Sequence, residues 1–265
     1  MTLNTAAINI RSIFLPDPGF SLVELDLKQA DAQVVAWESD DTSLKSLLKR
    51  GKDIYTERET NTWDNITIPR QIRKNCIHSA NYGAGYKTVA ERYIGNERDA
   101  KKFLENWFHH HPKIRQWQRR IEFEMQSSRT PTIYNIWGYR RVYACATPVS
   151  QALAWIGQST VAITVNHLKK WLESDDTDCL VEPPKTFYEN LEVWKELEVL
   201  LQIHDSVLVQ VPNEMCPEVF PLLLDLAHVE IPYKPEPLII PCELKWFPNS
   251  WGHKAEPAQL LQAAE

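Results

Sequence analysis

Two carboxylates set about 180 residues apart could do chemistry together. Asp26 ends the run Phe20-Ser-Leu-Val-Glu-Leu-Asp26, and Asp205 stands between Leu200-Leu-Gln-Ile-His204 and Ser206-Val-Leu-Val-Gln-Val-Pro212. Phosphoryl transfer from a nucleoside triphosphate uses two divalent cations about 4 Å apart, bridged by carboxylates; one activates the attacking oxygen and the other steadies the leaving group. Asp26 and Asp205 would supply that bridge if their strands adjoin in one sheet. Singly, an Asp at a bend is more commonly an Asx-turn residue, so either one alone says little.

Between them, Arg70, Lys74, His78 and Tyr82 recur every four residues. Residues four apart share one face of an α-helix, so the spacing predicts a helix carrying a stripe of two cations, an imidazole and a phenol. Ile72, Cys76, Ile77 and Ala80 fall largely on other faces and can pack. Pro69 suits the first helical turn and Gly83 its end. Such a stripe offers charge for phosphates and a flat surface for a base; the plainer alternative is a solvated helix face.

These residues need elements to hold them. Ile8 to Leu15 reads as a strand, Pro16-Asp-Pro-Gly19 as a turn, and Ser21 to Asp26 as a second strand. Gln29 to about Trp37 turns helical, and a helix-rich stretch runs on to about Arg129. Trp137-Gly-Tyr-Arg-Arg141 is a turn with two adjacent cations, and Val149 to Leu172 reads as a long buried helix. Ser174 to Asn190, acidic and containing Pro183-Pro184, reads as a surface insertion. Leu200 to Val211 is a strand-turn-strand with His204-Asp205 at the bend, and Leu238 to Trp246 a last strand.

The composition, 43% hydrophobic and 24% charged over 265 residues, is that of a globular chain with one large core or two joined subdomains. No apolar run of membrane-spanning length and no signal peptide is evident, so no membrane is expected and a cytoplasmic location is. Five cysteines without C-x-x-C spacing read as reduced thiols. His109-His110-His111 makes a poor metal site, because adjacent side chains diverge and Pro112 follows. The net charge of −6 hides a segregation: residues 70–145 hold fifteen Lys/Arg against six Asp/Glu. Affinity for phosphates follows that local field.

Taken together the segments resemble family A DNA polymerases. Asp26-Leu-Lys-Gln-Ala-Asp31 is similar to the family's D-Y-S-Q-I-E, Arg70 to Gly83 to its R-x3-K-x3-[FYH]-x3-Y-G, and His204-Asp205-Ser206 to its H-D-E. Gln158-Ser-Thr160 looks like its Q-G-T or Q-S-T, and Trp137-Gly-Tyr-Arg-Arg141 like its G-R-R turn. The five agree in order and approximate spacing, from about Asn4 to His253.

The resemblance implies an α+β fold. A palm, about residues 1–39 and 151–253, has an antiparallel sheet with packed helices; helical fingers are inserted at about 40–150, and a tail occupies 254–265. It implies a DNA-templated DNA polymerase fragment or subunit, with primer-template DNA and deoxynucleoside triphosphates as partners. Asp26 and Asp205 would bind two Mg²⁺ ions, with Mn²⁺ a substitute. Arg70 and Lys74 would contact the triphosphate, Lys74 also donating a proton to the leaving pyrophosphate. His78 would lie near sugar and base, Tyr82 by the templating position, and Asp31 where a ribose 2'-hydroxyl is walled off. Gln158, His204, Arg140 and Arg141 would meet the DNA.

The chain also departs from the pattern. Ser206 replaces Glu, Leu27 and Lys28 replace Tyr-Ser, Gln33 replaces Arg, and Asp31 is shorter than Glu. Ser150 and Ala154 lack polar or cationic groups often found there. Nothing resembles the family's thumb and upstream palm, so duplex should be held weakly. A truncated form, a split-gene subunit with a second polypeptide, or a compact phage- or virus-like version would each fit. The alternatives are a single-subunit RNA polymerase or primase-like enzyme, against which Asp31 argues, and a non-catalytic primer-template-binding remnant.

Overall fold

The structure is a computed structural model and describes residues 10–58, 62–64, 66–173 and 181–255. The chain divides into two compact units. Unit 1 takes in Met1–Lys28, Ala162–Glu230 and Ile239–Glu265; unit 2 takes in Gln29–Val161 and Ile231–Leu238. The architecture is α+β with an antiparallel main sheet, as the sequence led us to expect.

In unit 1 that sheet has four strands in the order β4-β5-β1-β8. Strand β1 is Phe20–Leu27, β4 Glu198–Ile203, β5 Ser206–Pro212 and β8 Cys242–Phe247; β6 (Glu230–Ile231) and β7 (Leu238–Ile239) have two residues each. The inner strands are apolar on both faces: β1 buries Leu22, Val23, Leu25 and Leu27, and β5 buries Val207, Leu208, Val209 and Val211. Leu22, Leu208, Phe247 and Trp251 form one packed cluster, each such side chain stabilising by roughly 1.5–3 kcal/mol through burial. Helix α10 (Cys216–Leu226) buries Val219, Leu223 and Leu226, a three- to four-residue spacing that makes one apolar stripe.

Two expectations need correction here. Residues Ile10–Ile13 form a single 3₁₀ turn rather than a strand, and Ile8 lies outside the described residues. Both edges of β1 are already paired, by β5 and β8, so a preceding segment has no free edge of β1 to join. The stretch Leu238 to Trp246 is not one strand: it breaks at Pro241, which has no N–H for a ladder, and resumes as β8. Residues 174–180 lie outside the described residues; in the rest of the expected surface insertion Lys185–Glu189 form α8, and Asn190 is the N-cap of α9 (Leu191–Lys195). Pro184 is the N-cap of α8, and Phe187 and Trp194 are buried.

Unit 2 is helical, comprising α1 (Ala30–Glu38), α2 (Thr42–Lys49), α3 (Arg70–Asn81), α4 (Tyr86–Val89), α5 (Glu97–His110) and α6 (Pro112–Gln126). The hairpin of β2 (Thr132–Tyr134) and β3 (Arg140–Val142) follows, then α7 (Val149–Glu173), whose residues to Val161 belong to this unit. Apolar residues at helical spacing build its core: Ala100, Phe103, Leu104 and Trp107 from α5, and Ile114, Trp117, Ile121 and Met125 from α6. Asp41 caps α2 by accepting from Leu44 N at 2.9 Å, and Asn96 caps α5 by accepting from Asp99 N at 2.7 Å. The buried His111 ring places Nδ1 3.1 Å from Asp41 Oδ1, tying the α5–α6 corner to the start of α2. Of the histidine triplet only His111 is buried, and His109 is exposed; no cluster of three or more His, Cys, Asp or Glu that could hold a metal occurs among the described residues.

Candidate active site

In unit 1 the register of the sheet brings the two aspartates close together, Asp26 on β1 and Asp205 in the turn that leads into β5. Asp26 on β1 faces Ser206 on β5, and Leu27 N donates to the Asp205 carbonyl oxygen at 2.9 Å. The tight β4–β5 hairpin puts His204 at φ +51°, a conformation a non-glycine residue adopts only where the turn demands it. His204 is exposed at this bend. Ser206 lies where a third carboxylate could have stood, but its buried hydroxyl donates back to Ile203 O at 3.1 Å and closes the hairpin.

Alternation along β1 puts Glu24 on the same face as Asp26. Glu24 is 3% exposed and accepts from Trp251 Nε1 at 2.6 Å and from Arg11 Nη1 at 3.3 Å. Lys245 on β8, directly opposite Glu24, reaches both acids: Nζ lies 3.0 Å from Glu24 Oε1 and contacts Asp26 Oδ2. Burial would lower the Lys245 pKa, but the bonds to Asp26 and Glu24 outweigh it and the net shift is upward, so the ammonium stays charged. As a donor set, one carboxylate from β1 and one from the β4–β5 turn suit Mg²⁺, which takes one or two carboxylates and completes its shell with water and substrate phosphate oxygens.

In unit 2, α3 carries the predicted stripe. Pro69 is its N-cap residue and Gly83, at φ +82°, follows its end. Cys76, Ile77 and Ala80 are buried, whereas Arg70 is exposed and Lys74, His78 and Tyr82 are half-buried. Gln118 of α6 fixes the C-terminal end by donating to the Ala80 and Asn81 carbonyls at 2.8 Å each, groups that a helix end leaves without intrahelical partners. Asn81 Oδ1 accepts from Trp107 Nε1 at 3.1 Å.

The structure gathers Asp31 at this stripe. His78 Nδ1 lies 3.0 Å from Asp31 Oδ2, while its Nε2 lies 3.2 Å from the Tyr55 hydroxyl. Burial would raise the Asp31 pKa, but the His78 hydrogen bond and charge, with help from Tyr82 and Lys74, bring it below the ordinary carboxylate value. Burial and the Asp31 charge push the Tyr82 phenol well above its ordinary value, so it keeps its proton. That hydroxyl is buried against Asp31 without closing a hydrogen bond of normal geometry. At the other end, Arg70 Nε meets Asp53 Oδ2 at 2.6 Å and the guanidinium sits 5.1 Å from the Tyr55 ring centroid.

Gln158 is exposed on α7, and its neighbour Gly157 faces Tyr82: a Cβ there would fall 2.9 Å from the Tyr82 hydroxyl. Arg140 and Arg141 are exposed on β3, away from the α3 stripe in sequence and held by a different scaffold. Trp137 Nε1 donates to Thr160 O at 3.2 Å and Asn135 Nδ2 to Ser159 Oγ at 2.9 Å, anchoring the hairpin on α7.

Sequence reasoning missed Glu24, Lys245, Asp53, Tyr55 and the packing role of Gly157. Glu24 carried a signal, an acid inside an apolar strand that must be paired when buried. Lys245 shows the same pattern in the last strand. Nothing local marks Asp53 or Tyr55.

Comparison with known proteins bears on these arrangements. A profile of DNA polymerase family A matches residues 3–152. The thermostable DNA polymerase I of Thermus filiformis is 26% identical over 245 residues, 89% of this chain and 27% of that protein. The DNA polymerase I of Chloroflexus aurantiacus is 24% identical over 225 residues, covering 82% and 23%. DNA polymerase theta of Caenorhabditis elegans is 24% identical over 211 residues, covering 80% and 12%. The chain thus spans between 12% and 27% of the length of these relatives. A solved structure, the POL domain of Pol1 from M. smegmatis in complex with DNA primer-template and dNTP, is similar with a TM-score of 0.72 at 17% identity. That match covers 92% of this chain and 42% of the other, and shows the fold.

Proposed function

The chain belongs to DNA polymerase family A, and on that premise we propose that it is a polymerase catalytic portion, with a palm of about residues 1–39 and 151–253 and fingers of about 40–150. It adds deoxynucleotides to a primer 3'-hydroxyl on a DNA template. The observation that carries this reading is the pairing of β1 with β5, which sets Asp26 beside Ser206 and lets Leu27 N donate to the carbonyl of Asp205 in the turn just before β5. Two Mg²⁺ ions held by Asp26 and Asp205 would lower the charge barrier at the α-phosphate and activate the attacking hydroxyl.

The chain's own residues bind and orient. Arg70 and Lys74, one turn apart on α3, take the triphosphate oxygens, and Lys74 gives a proton to the leaving pyrophosphate. Arg70 exchanges Asp53 for phosphate when the nucleotide arrives. Asp31, fixed by His78, presents a carboxylate edge to the sugar and disfavours a 2'-hydroxyl, while Tyr82 offers its ring face to the base. Gln158, His204, Arg140 and Arg141 contact primer-template DNA, and a second polypeptide can supply the grip of a thumb.

Primer extension at low salt with Mg²⁺ tests this. Wild type should extend with deoxynucleotides in preference to ribonucleotides. Asp26→Asn and Asp205→Asn should each lose ~10³-fold or more, as expected when several kcal/mol of metal-borne stabilisation goes. Unchanged extension by a folded Asp205→Asn variant refutes the two-carboxylate reading, and equal use of both nucleotide types refutes the role of Asp31.

A further inference from the structure

We propose that Lys245 is a tethered counter-ion of the Asp26 carboxylate, one that a divalent cation must displace before it can bind there. This rests on the metal-binding reading of Asp26 and Asp205. Cross-strand register places Lys245 opposite Glu24, and its Nζ touches both Glu24 and Asp26. The contact is part of the folded core: the Lys245 side chain is 21% exposed and that of Glu24 only 4%.

Lys245 can release Asp26 without leaving the sheet. Glu24 keeps the Trp251 indole and the Arg11 guanidinium as donors and remains within reach of the ammonium. Releasing Asp26 takes only a short movement of the ammonium, because Nζ already lies 3.0 Å from Glu24 Oε1. A cation bound at Asp26 then stays inside the field of Lys245, closer than a Debye length and so poorly screened. The carboxylate pair alone therefore holds a divalent ion weakly. A triphosphate supplies the negative charge that makes binding favourable, so metal and nucleotide enter together.

Mn²⁺ binding followed by electron paramagnetic resonance, on the intact chain without nucleotide, tests this. Lys245→Met and Lys245→Gln should bind Mn²⁺ ~10-fold or more tightly than wild type, the scale expected when a nearby unit charge is removed at intermediate effective dielectric. The gain should disappear when Asp26→Asn is added. Circular dichroism and a melting curve identify a variant that has lost its fold; the glutamine variant, which retains a donor for Glu24, then carries the test. Equal Mn²⁺ affinity in wild type and folded Lys245 variants overturns the counter-ion role while leaving the metal reading intact. A gain that survives Asp26→Asn also overturns it. Absence of Mn²⁺ binding in every variant up to millimolar ion overturns the metal reading itself.

Discussion

Replacing Gly157 by alanine places a Cβ 2.9 Å from the Tyr82 hydroxyl and 3.5 Å from Asp31 Oδ1. The first distance is below any ordinary carbon–oxygen contact, and the atom it meets is at the end of a rigid ring whose hydroxyl is buried. Overpacking of this kind costs about 1–3 kcal/mol. Against it stands the gain from replacing a helix-interior glycine, about 0.5–1 kcal/mol. The net expectation is a loss of up to roughly 2 kcal/mol, or several degrees in melting temperature for a chain of this size. Tyr82→Phe removes the oxygen that the Cβ meets, so in that background only the propensity gain remains and Gly157→Ala becomes neutral or stabilising. The coupling in a double-mutant cycle should then be about 1–3 kcal/mol. Thermal melts of the four proteins give the answer. A Gly157→Ala penalty of the same size with and without the Tyr82 hydroxyl would show that the contact is not what makes glycine necessary here. Because Tyr82 and Asp31 are proposed to meet the nucleotide, the single variant should also extend primers more slowly, and Tyr82→Phe should relieve part of that defect.

Other predictions follow from the same geometry. Asp41→Ala removes the α2 cap and leaves the buried His111 ring without its carboxylate, costing about 2–4 kcal/mol; Asp41→Asn keeps the cap and should cost less, which chemical denaturation will distinguish. The folded Asp31 pKa lies below its unfolded value of 3.8, so its contribution to stability is present above that pH and is lost as pH falls through the folded pKa. Asp31→Asn should therefore be less stable than wild type at neutral pH, with the gap closing in acid; a gap constant down to the lowest measurable pH contradicts the ion pair with His78. Asp53→Asn frees Arg70 from a half-exposed partner and should tighten deoxynucleotide binding by about two- to fivefold, the range of an exposed pair, in a fluorescence titration.

Much of the chain's local design is legible in its residues. Apolar runs ended by Asp26 and interrupted at His204-Asp205 specify strands and a hairpin because side chains alternate along a strand and a two-residue bend reverses it. The four-residue spacing from Arg70 to Tyr82 specifies one helix face, since 3.6 residues make a turn, and Pro69 and Gly83 mark its limits. These are short-range consequences of backbone geometry. The tertiary structure alone decided what depends on partners distant in sequence. Ile10–Ile13 coils because β5 and β8 already occupy both edges of β1. Asp31 meets His78 because α1 packs beside α3. Lys245 meets Asp26 across 219 residues of chain, because cross-strand register is set by how whole strands bury their faces, and no local spacing records it.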